Sequence, residues 1–158
     1  MKKVPILLLM LMISLFVSAQ VVEQTYYFEN AGVTEIQSYN GVQFENCMQT
    51  AIAGNPSLPY KSVSLLLPYG TEAESVEVIL SDFEEISVKS QLFPYQPARP
   101  YSKPERKTFF KNDDVYSSKN VYPSKCYGEL TTHYLNGHAF AFTSFSPYLG
   151  LVSSRIFR

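Results

Sequence analysis

The stretch Gly54-Asn55-Pro56-Ser57-Leu58-Pro59-Tyr60-Lys61 runs directly into Ser62-Val63-Ser64-Leu65-Leu66-Leu67-Pro68-Tyr69-Gly70, and the rest of the chain is organised around it. Its first two residues tolerate positive φ, and the prolines that follow fix φ at about −65°, which predicts a turn and then an extended backbone. From Lys61 apolar and polar residues alternate, which predicts a strand that Pro68 ends. The stretch holds no nucleophile, acid–base pair or metal cluster, so we expect it to be scaffold.

The first 19 residues have the pattern of a secretory signal peptide. Lys2 and Lys3 precede an apolar run over residues 6–17, and Val17-Ser18-Ala19 forms a small-residue cleavage site before Gln20. The apolar run is too short for a membrane span. We therefore expect a signal peptide at 1–19 and one mature domain at 20–158, exported to the periplasm or the exterior. The net charge of −1 argues against binding to nucleic acid or to a membrane surface.

The composition favours strands, because the chain has 12 Tyr, 11 Phe and no Trp, with frequent β-branched residues and prolines. Short alternating runs separated by turn residues predict an all-β fold, an antiparallel β-sandwich of jelly-roll-like type. A further strand begins at Leu151, so we expect the sandwich to be truncated before its last strands. Besides the central strand, we predict strands at 20–27, 33–39, 42–47, 75–80, 86–91, 130–135 and 138–145.

Two Asn-Gly pairs mark predicted hairpin turns. Asn40-Gly41 lies between Tyr39 and Val42 and predicts a type I′ turn. Asn136-Gly137 lies between two alternating runs, where it predicts a second two-residue turn or a bulge inside one long strand.

The register of the second hairpin brings two histidines together. His133 faces Phe140 and Leu135 faces His138, which makes the histidines diagonal neighbours about 7–8 Å apart. No third ligand is placed to complete a metal site, so we interpret both histidines as structural. Asn112-Asp113-Asp114 likewise lacks the oxygen spacing of a calcium loop, and we predict no metal and no cofactor.

Cys47 and Cys126 are the two cysteines. Export permits a disulfide between them, and closing so long a loop would contribute on the order of 4 kcal/mol. Two buried thiols are an equal alternative, because two cysteines do not make a disulfide framework.

A proline-rich, basic segment covers residues 93–107, with the sequence FPYQPARPYSKPERK. Prolines at every third or fourth position favour an extended backbone without a regular ladder. Residues 71–86 before it carry six acids and no Lys or Arg, whereas residues 87–111 carry six basic residues and one acid. A solvated loop over the acidic neighbouring strand is the favoured interpretation, and an extended arm in the groove of a partner is the alternative.

The sequence offers no catalytic constellation. Cys47 lies in Glu45-Asn46-Cys47-Met48-Gln49, without the Gly-rich turn or helix start that would lower its pKa. The chain has no phosphate loop, dinucleotide fingerprint or zinc spacing. We therefore predict that it is not an enzyme by itself.

The order of several short motifs resembles the N-terminal propeptide of gingipain-type (family C25) cysteine peptidases. Those propeptides carry a G-x-P-x-L-P run, similar to Gly54-Asn55-Pro56-Ser57-Leu58-Pro59, and a strand ending in L-P-x-G, similar to Leu67-Pro68-Tyr69-Gly70. A valine-rich strand follows, here at 75–80. Later motifs of the C25 propeptides are similar to Pro94-Tyr95-Gln96-Pro97, Tyr122-Pro123 and Ser146-Pro147-Tyr148-Leu149-Gly150 of this chain. The resemblance therefore covers roughly residues 54–151.

The resemblance implies a β-sandwich that acts as intramolecular chaperone and inhibitor of a cysteine peptidase catalytic domain, in cis or in trans. An extended basic arm would place a Lys or Arg in an acidic specificity pocket. Arg99, between Ala98 and Pro100, fits best because the following proline disfavours a productive peptide geometry. Arg106 and Lys125 are further candidates. A secreted β-sandwich for binding or adhesion, which uses exposed tyrosines, is the alternative function.

Overall fold

The structure is a computed structural model that describes residues 20–100, 102, 109–151 and 155–157. The predicted signal peptide at 1–19 lies outside these residues. The elements of the described chain are β1 (Gly32–Ile36), β2 (Tyr39–Gln43), β3 (Met48–Gln49), β4 (Pro59–Leu66), β5 (Glu85–Ile86), α1 (Asp113–Ser117), β6 (Thr131–Leu135), β7 (His138–Phe145), β8 (Leu149–Leu151) and β9 (Arg155–Phe157).

These strands form three sheets whose strand pairs are all antiparallel. The largest sheet has the order β3-β4-β7-β6, a ribbon joins β1 to β2, and β9 lies between β5 and β8. The chain is therefore an antiparallel all-β domain, as predicted. The face-to-face packing of two sheets in a jelly-roll sandwich stays a prediction.

The central strand β4 has the predicted alternation. Val63 is buried whereas Ser62 and Ser64 are exposed, and residues 61–66 pair with β7. The strand ends at Leu66, two residues before Pro68, which has no N–H for a ladder. β4 is thus an inner strand of the largest sheet, between β3 and β7.

The hairpin of β6 and β7 is confirmed, and the bulge alternative is wrong. Asn136 and Gly137 have φ of 50° and 82°, as a type I′ turn requires. His133 pairs with Phe140, and Leu135 pairs with His138. Both histidines are exposed, and the His133 ring lies 5.5 Å from the ring of Phe142.

The turn predicted at Asn40-Gly41 is wrong, because both residues lie inside β2. The chain turns three residues earlier, at Gln37 and Ser38, and the φ of Gln37 is 55°. Asn40 is buried, and its amide donates to the carbonyl (3.1 Å) and the hydroxyl (2.8 Å) of Ser90. Contacts 50 residues away thus satisfy an asparagine whose local sequence favours a turn.

Two predicted strands, at 20–27 and 75–80, have no ladder in the structure. In residues 75–80 the burial still alternates, since Val76, Val78 and Leu80 are half-buried and the residues between them are exposed. Alternation therefore identified the inward side chains, but it did not specify a pairing partner. The predicted strand at 86–91 is likewise reduced to Glu85–Ile86.

The short helix α1 was not predicted from the sequence. Asn112 precedes it in an extended conformation, and Asp113 and Asp114 occupy its first turn, where negative charge is favourable. The Asn112 side chain makes no cap hydrogen bond and bonds to Asn55 instead. The helix buries Tyr116.

The main apolar cluster lies where these elements meet. It joins residues of β2, of β5 and of the three loops that follow β2, β3 and β5 with a tyrosine close to β8. Its buried members are Val42, Phe44, Leu58, Ile86, Leu92 and Tyr148. Because Leu92 is 0% exposed, the start of the proline-rich region is anchored in this core.

The structure has Cys47 and Cys126 as free, half-buried thiols. The disulfide alternative does not fit the sheet order. Cys47 precedes β3, whereas Tyr127, next to Cys126, bridges to Phe145 of β7 on the side away from β4. Three strand spacings of about 4.8 Å separate the two positions, roughly 14 Å in all, beyond the 4.4–6.8 Å that a disulfide spans between α-carbons.

Candidate functional site

The turn at Gly54-Asn55 holds the start of the proline-rich segment. Gly54 donates its N–H to the carbonyl of Tyr95 (2.9 Å), and Tyr95 donates its own N–H to the carbonyl of Asn55 (2.8 Å). Ser57 adds a hydrogen bond to the carbonyl of Phe93 (2.9 Å). This stretch therefore behaves like a short strand pair, although its prolines prevent a continuous ladder.

The same turn also holds the chain where it returns toward α1. Asn112 donates its backbone N–H to the carbonyl of Gly54 (2.9 Å) and its side-chain amide to Oδ1 of Asn55 (2.9 Å). Gly54 has a φ of +77°, which a glycine adopts without strain. Gly54 and Asn55 thus anchor both the start of the proline-rich segment and the chain that follows it.

Gln96 and Phe110 bond directly to each other. Nε2 of Gln96 donates to the Phe110 carbonyl (2.8 Å), and the Phe110 N–H donates back to Oε1 of Gln96 (2.9 Å). Nε2 also donates to the carbonyl of Pro94 (2.8 Å). We call residues 97–109, between these two, the arm, and the paired hydrogen bonds the Gln96–Phe110 clamp.

Three aromatic rings pack next to the clamp. Phe93 and Phe109 meet edge to face with centroids 5.0 Å apart, and Tyr39 lies 6.3 Å from Phe93 and 5.7 Å from Phe109. Such edge-to-face pairs each contribute about 0.5–1.5 kcal/mol beyond area burial. The base of the arm is thus held by apolar packing as well as by hydrogen bonds.

Ala98, Arg99 and Pro100 leave this anchored base and are exposed to solvent. Within the described part of the chain, no hydrogen bond or ion pair restrains Arg99. The interpretation of residues 93–107 as a solvated loop over an acidic strand is wrong for its first part, because Pro94 is fully buried and bridges to Pro56.

Of the other two candidate inhibitory residues, Arg106 and Lys125, the structure describes only Lys125. Arg106 lies outside the described residues. Lys125 is exposed on a turn held at both ends, since Tyr122 exchanges two backbone hydrogen bonds with Gly150 and Cys126 accepts one from Ser146. No backbone hydrogen bond in the described chain joins this turn to residues 98–100.

The Cys47 thiol is not activated as a nucleophile. Burial raises the pKa of the Cys47 thiol, and the nearby Lys61 ammonium only partly offsets this. A raised pKa keeps the thiol protonated, the opposite of what a nucleophile needs. Among the residues described, no three His, Cys, Asp or Glu side chains group as metal ligands, and no helix is long and apolar enough to cross a membrane.

The sequence nominated Arg99 as a candidate, which stays a prediction, but it gave no sign of the residues that anchor the segment before Arg99. Gln96 gave no signal, because a lone glutamine between prolines is unremarkable. Gly54 and Asn55 were identified as a turn, and positive φ was the correct expectation for Gly54. Their bonds to Tyr95 and Asn112 are non-local and have no signature in the sequence.

The described chain is thus an antiparallel β domain that exposes Ala98, Arg99 and Pro100 next to an anchored base. The chain matches the family Propeptide_C25 over residues 3–149, and it belongs to that family. The family resemblance deduced from the motifs is therefore confirmed. The chain is the propeptide part of a gingipain-type cysteine peptidase precursor. This family match favours the propeptide function over the alternative of a binding or adhesion module.

Two solved structures share the fold. The complex of the pro- and mature domains of RgpB from Porphyromonas gingivalis matches with a TM-score of 0.66 and 20% identity, over 84% of this chain and 72% of that one. A structure of gingipain K from the same organism, which addresses its zymogenic latency, matches with a TM-score of 0.56 and 18% identity, over 80% and 74%. A comparison with curated proteins found no match.

Proposed function

We propose that this domain keeps a gingipain-type cysteine peptidase inactive by placing Arg99 in the specificity pocket of the peptidase. The observation that carries the proposal is the exposed Arg99, which makes no hydrogen bond or ion pair with the described residues, on a segment whose base is anchored by the Gly54-Asn55 turn and the Gln96–Phe110 clamp. The similarity to a complex of pro- and mature domains supports a peptidase catalytic domain as the partner.

The chemistry of Arg99 suits an inhibitor that is bound but not cut. A guanidinium can donate two parallel hydrogen bonds to a carboxylate in the pocket, and such charge-assisted bonds are strong. The scissile bond would lie between Arg99 and Pro100. Proline has no N–H and its ring fixes φ, so this peptide bond is poorly suited to attack.

The test is inhibition in trans of the C25-type catalytic domain from the same organism, which we call the cognate peptidase. Arg99→Ala is expected to raise the Ki at least about tenfold, the loss of about 1.4 kcal/mol of binding. Lys119→Ala, at an exposed lysine of the described chain, serves as control. Arg106→Ala and Lys125→Ala test the other two candidates in parallel. If Arg99→Ala inhibits as well as the wild type, Arg99 is not the inhibitory residue.

Two further roles complete the proposal. A domain that binds the folded peptidase also favours its folding by mass action, so refolding of the cognate peptidase should give a higher yield of active enzyme when the propeptide is present. Export rests on the signal-peptide pattern of residues 1–19, and the N-terminus of the exported protein should be Gln20. An unprocessed N-terminus would contradict the second expectation.

A further inference from the structure

Gln96 uses both ends of its side-chain amide at the base of the arm. Nε2 donates to the Pro94 carbonyl and to the Phe110 carbonyl, both at 2.8 Å, while Oε1 accepts the Phe110 N–H at 2.9 Å. A primary amide has two donors and a carbonyl acceptor, so these three bonds use nearly all of its capacity. The side chain thereby takes the place of a backbone ladder between residues 94–96 and 110.

We propose that Gln96 is a positioning residue that preorganises Ala98, Arg99 and Pro100 for inhibition, an inference that rests on the proposed function. Arg99 follows Gln96 by three residues, so fixing Gln96 to Phe110 limits the directions in which Arg99 can point. The aromatic contact of Phe93 with Phe109 packs beside the same base. A segment that is ordered before binding loses less conformational entropy when it binds, and binds more tightly for that reason.

The geometry requires an amide rather than any polar side chain. A carboxylate at position 96 would still accept the Phe110 N–H, but it would face the carbonyl oxygens of Phe110 and Pro94 without a proton to donate. Two carbonyl oxygens disfavour the charged form, and protonation would restore one of the two missing donors. Gln96→Glu is thus a substitution whose effect should depend on pH.

The first experiment compares the Ki of Gln96→Ala with that of the wild type against the cognate peptidase. Gln43→Ala, at an exposed glutamine of β2, is the matched control. We expect the Ki to rise about tenfold for Gln96→Ala, equivalent to about 1.4 kcal/mol, and to stay unchanged for the control. The melting temperature of each variant is recorded, so that loss of fold is distinguished from loss of preorganisation.

The second experiment measures binding of Gln96→Glu to the cognate peptidase with its catalytic cysteine replaced by alanine. At about pH 8 the variant should bind roughly tenfold more weakly than the wild type. The ratio of the two dissociation constants should fall as the pH falls to about 5, where a carboxyl with a raised pKa takes up its proton and regains one of the two donors. A ratio that does not depend on pH would overturn the role assigned to the amide proton.

The variants separate this inference from the proposed function. If Arg99→Ala loses inhibition and Gln96→Ala does not, the positioning role is wrong and the function stands. If Gln96→Ala weakens inhibition while Arg99→Ala does not, the clamp holds an arm in which another residue is inhibitory. If neither variant changes the Ki, both proposals are wrong.

Discussion

The α-carbon of Gly54 lies directly against the ring of Phe110, so that a Cβ at position 54 would be 2.6 Å from Cε1 of that ring. The same glycine has a φ of +77° and bonds to both segments that flank the arm. Gly54→Ala should therefore displace Phe110 and destabilise the domain by about 2–4 kcal/mol, through strain at positive φ and overpacking. Urea denaturation of the purified domain measures the change.

Gly70→Ala is the matched control for that substitution. Gly70 has a similar φ of +73°, but a Cβ there would meet nothing within 4 Å. The control should therefore show the backbone strain alone, about 1–2 kcal/mol. Equal losses for the two variants would mean that the contact with Phe110 does not matter for stability.

Tyr116 and Tyr148 are both buried, and their hydroxyls differ in hydrogen bonding. Tyr116 donates to the carbonyl of Leu92 (2.8 Å), whereas the Tyr148 hydroxyl has no partner among the described residues. Tyr116→Phe should cost about 1–2 kcal/mol because it leaves a buried carbonyl unpaired. Tyr148→Phe should be neutral or stabilising, since it removes a buried polar group that makes no such bond. Thermal and urea unfolding of both variants decide this comparison, and a large loss for Tyr148→Phe would contradict it.

The same two tyrosines predict how stability depends on pH at the alkaline end. Burial raises the pKa of both hydroxyls above the ordinary value of 10, and for Tyr116 nearby Tyr39 and Tyr122 add to the shift. Above about pH 10 the unfolded chain loses protons that the folded chain keeps, so the free energy of unfolding falls as the pH rises. Each buried tyrosine contributes up to about 1.4 kcal/mol per pH unit to this slope.

The double variant Tyr116→Phe/Tyr148→Phe should flatten the decline between about pH 10 and 11. Tyr69→Phe is the control, because Tyr69 is 92% exposed. Urea unfolding at about pH 8, 10 and 11 gives the slopes. A double variant whose slope equals that of the wild type would show that other groups control alkaline unfolding.

Pro100→Ala tests why the arm is not cut. If Arg99 occupies the specificity pocket, alanine at position 100 restores the N–H and the conformational freedom that a scissile bond needs. The cognate peptidase should therefore cleave the variant after Arg99 much faster than it cleaves the wild type, as mass spectrometry of the products would show. In the double variant Arg99→Ala/Pro100→Ala this cleavage should disappear. If the bond that follows Arg99 stays intact in Pro100→Ala, Arg99 does not enter the active site.

Local patterns carried the predictions that succeeded. The alternation in residues 61–66 gave β4, and Asn136-Gly137 gave the register of β6 and β7. Each of these features is decided within a few residues of sequence, by side-chain period or by a turn that needs positive φ. The order of short motifs gave the family, which the match over residues 3–149 confirms.

Asn40-Gly41 shows where local patterns fail. The pair has the chemistry of a type I′ turn, yet it lies in a strand because Ser90 satisfies the Asn40 amide and Asn40 bonds to the backbone of Gln91 and Phe93. Cys47 and Cys126 show the same limit. Their separation follows from the strand order of the largest sheet, which no spacing in the sequence reveals.

The sequence by itself determined that the chain is antiparallel and all-β, where its central strand lies, and that Arg99 is the residue to test. These features depend on local conformational preference and on side-chain chemistry. Only the tertiary structure decided how the arm is held. The Gly54-Asn55 turn and the Gln96–Phe110 clamp join residues that are 14 to 58 positions apart. Such bonds form only when packing of the core brings the segments together, since closing each loop costs entropy that no local preference offsets.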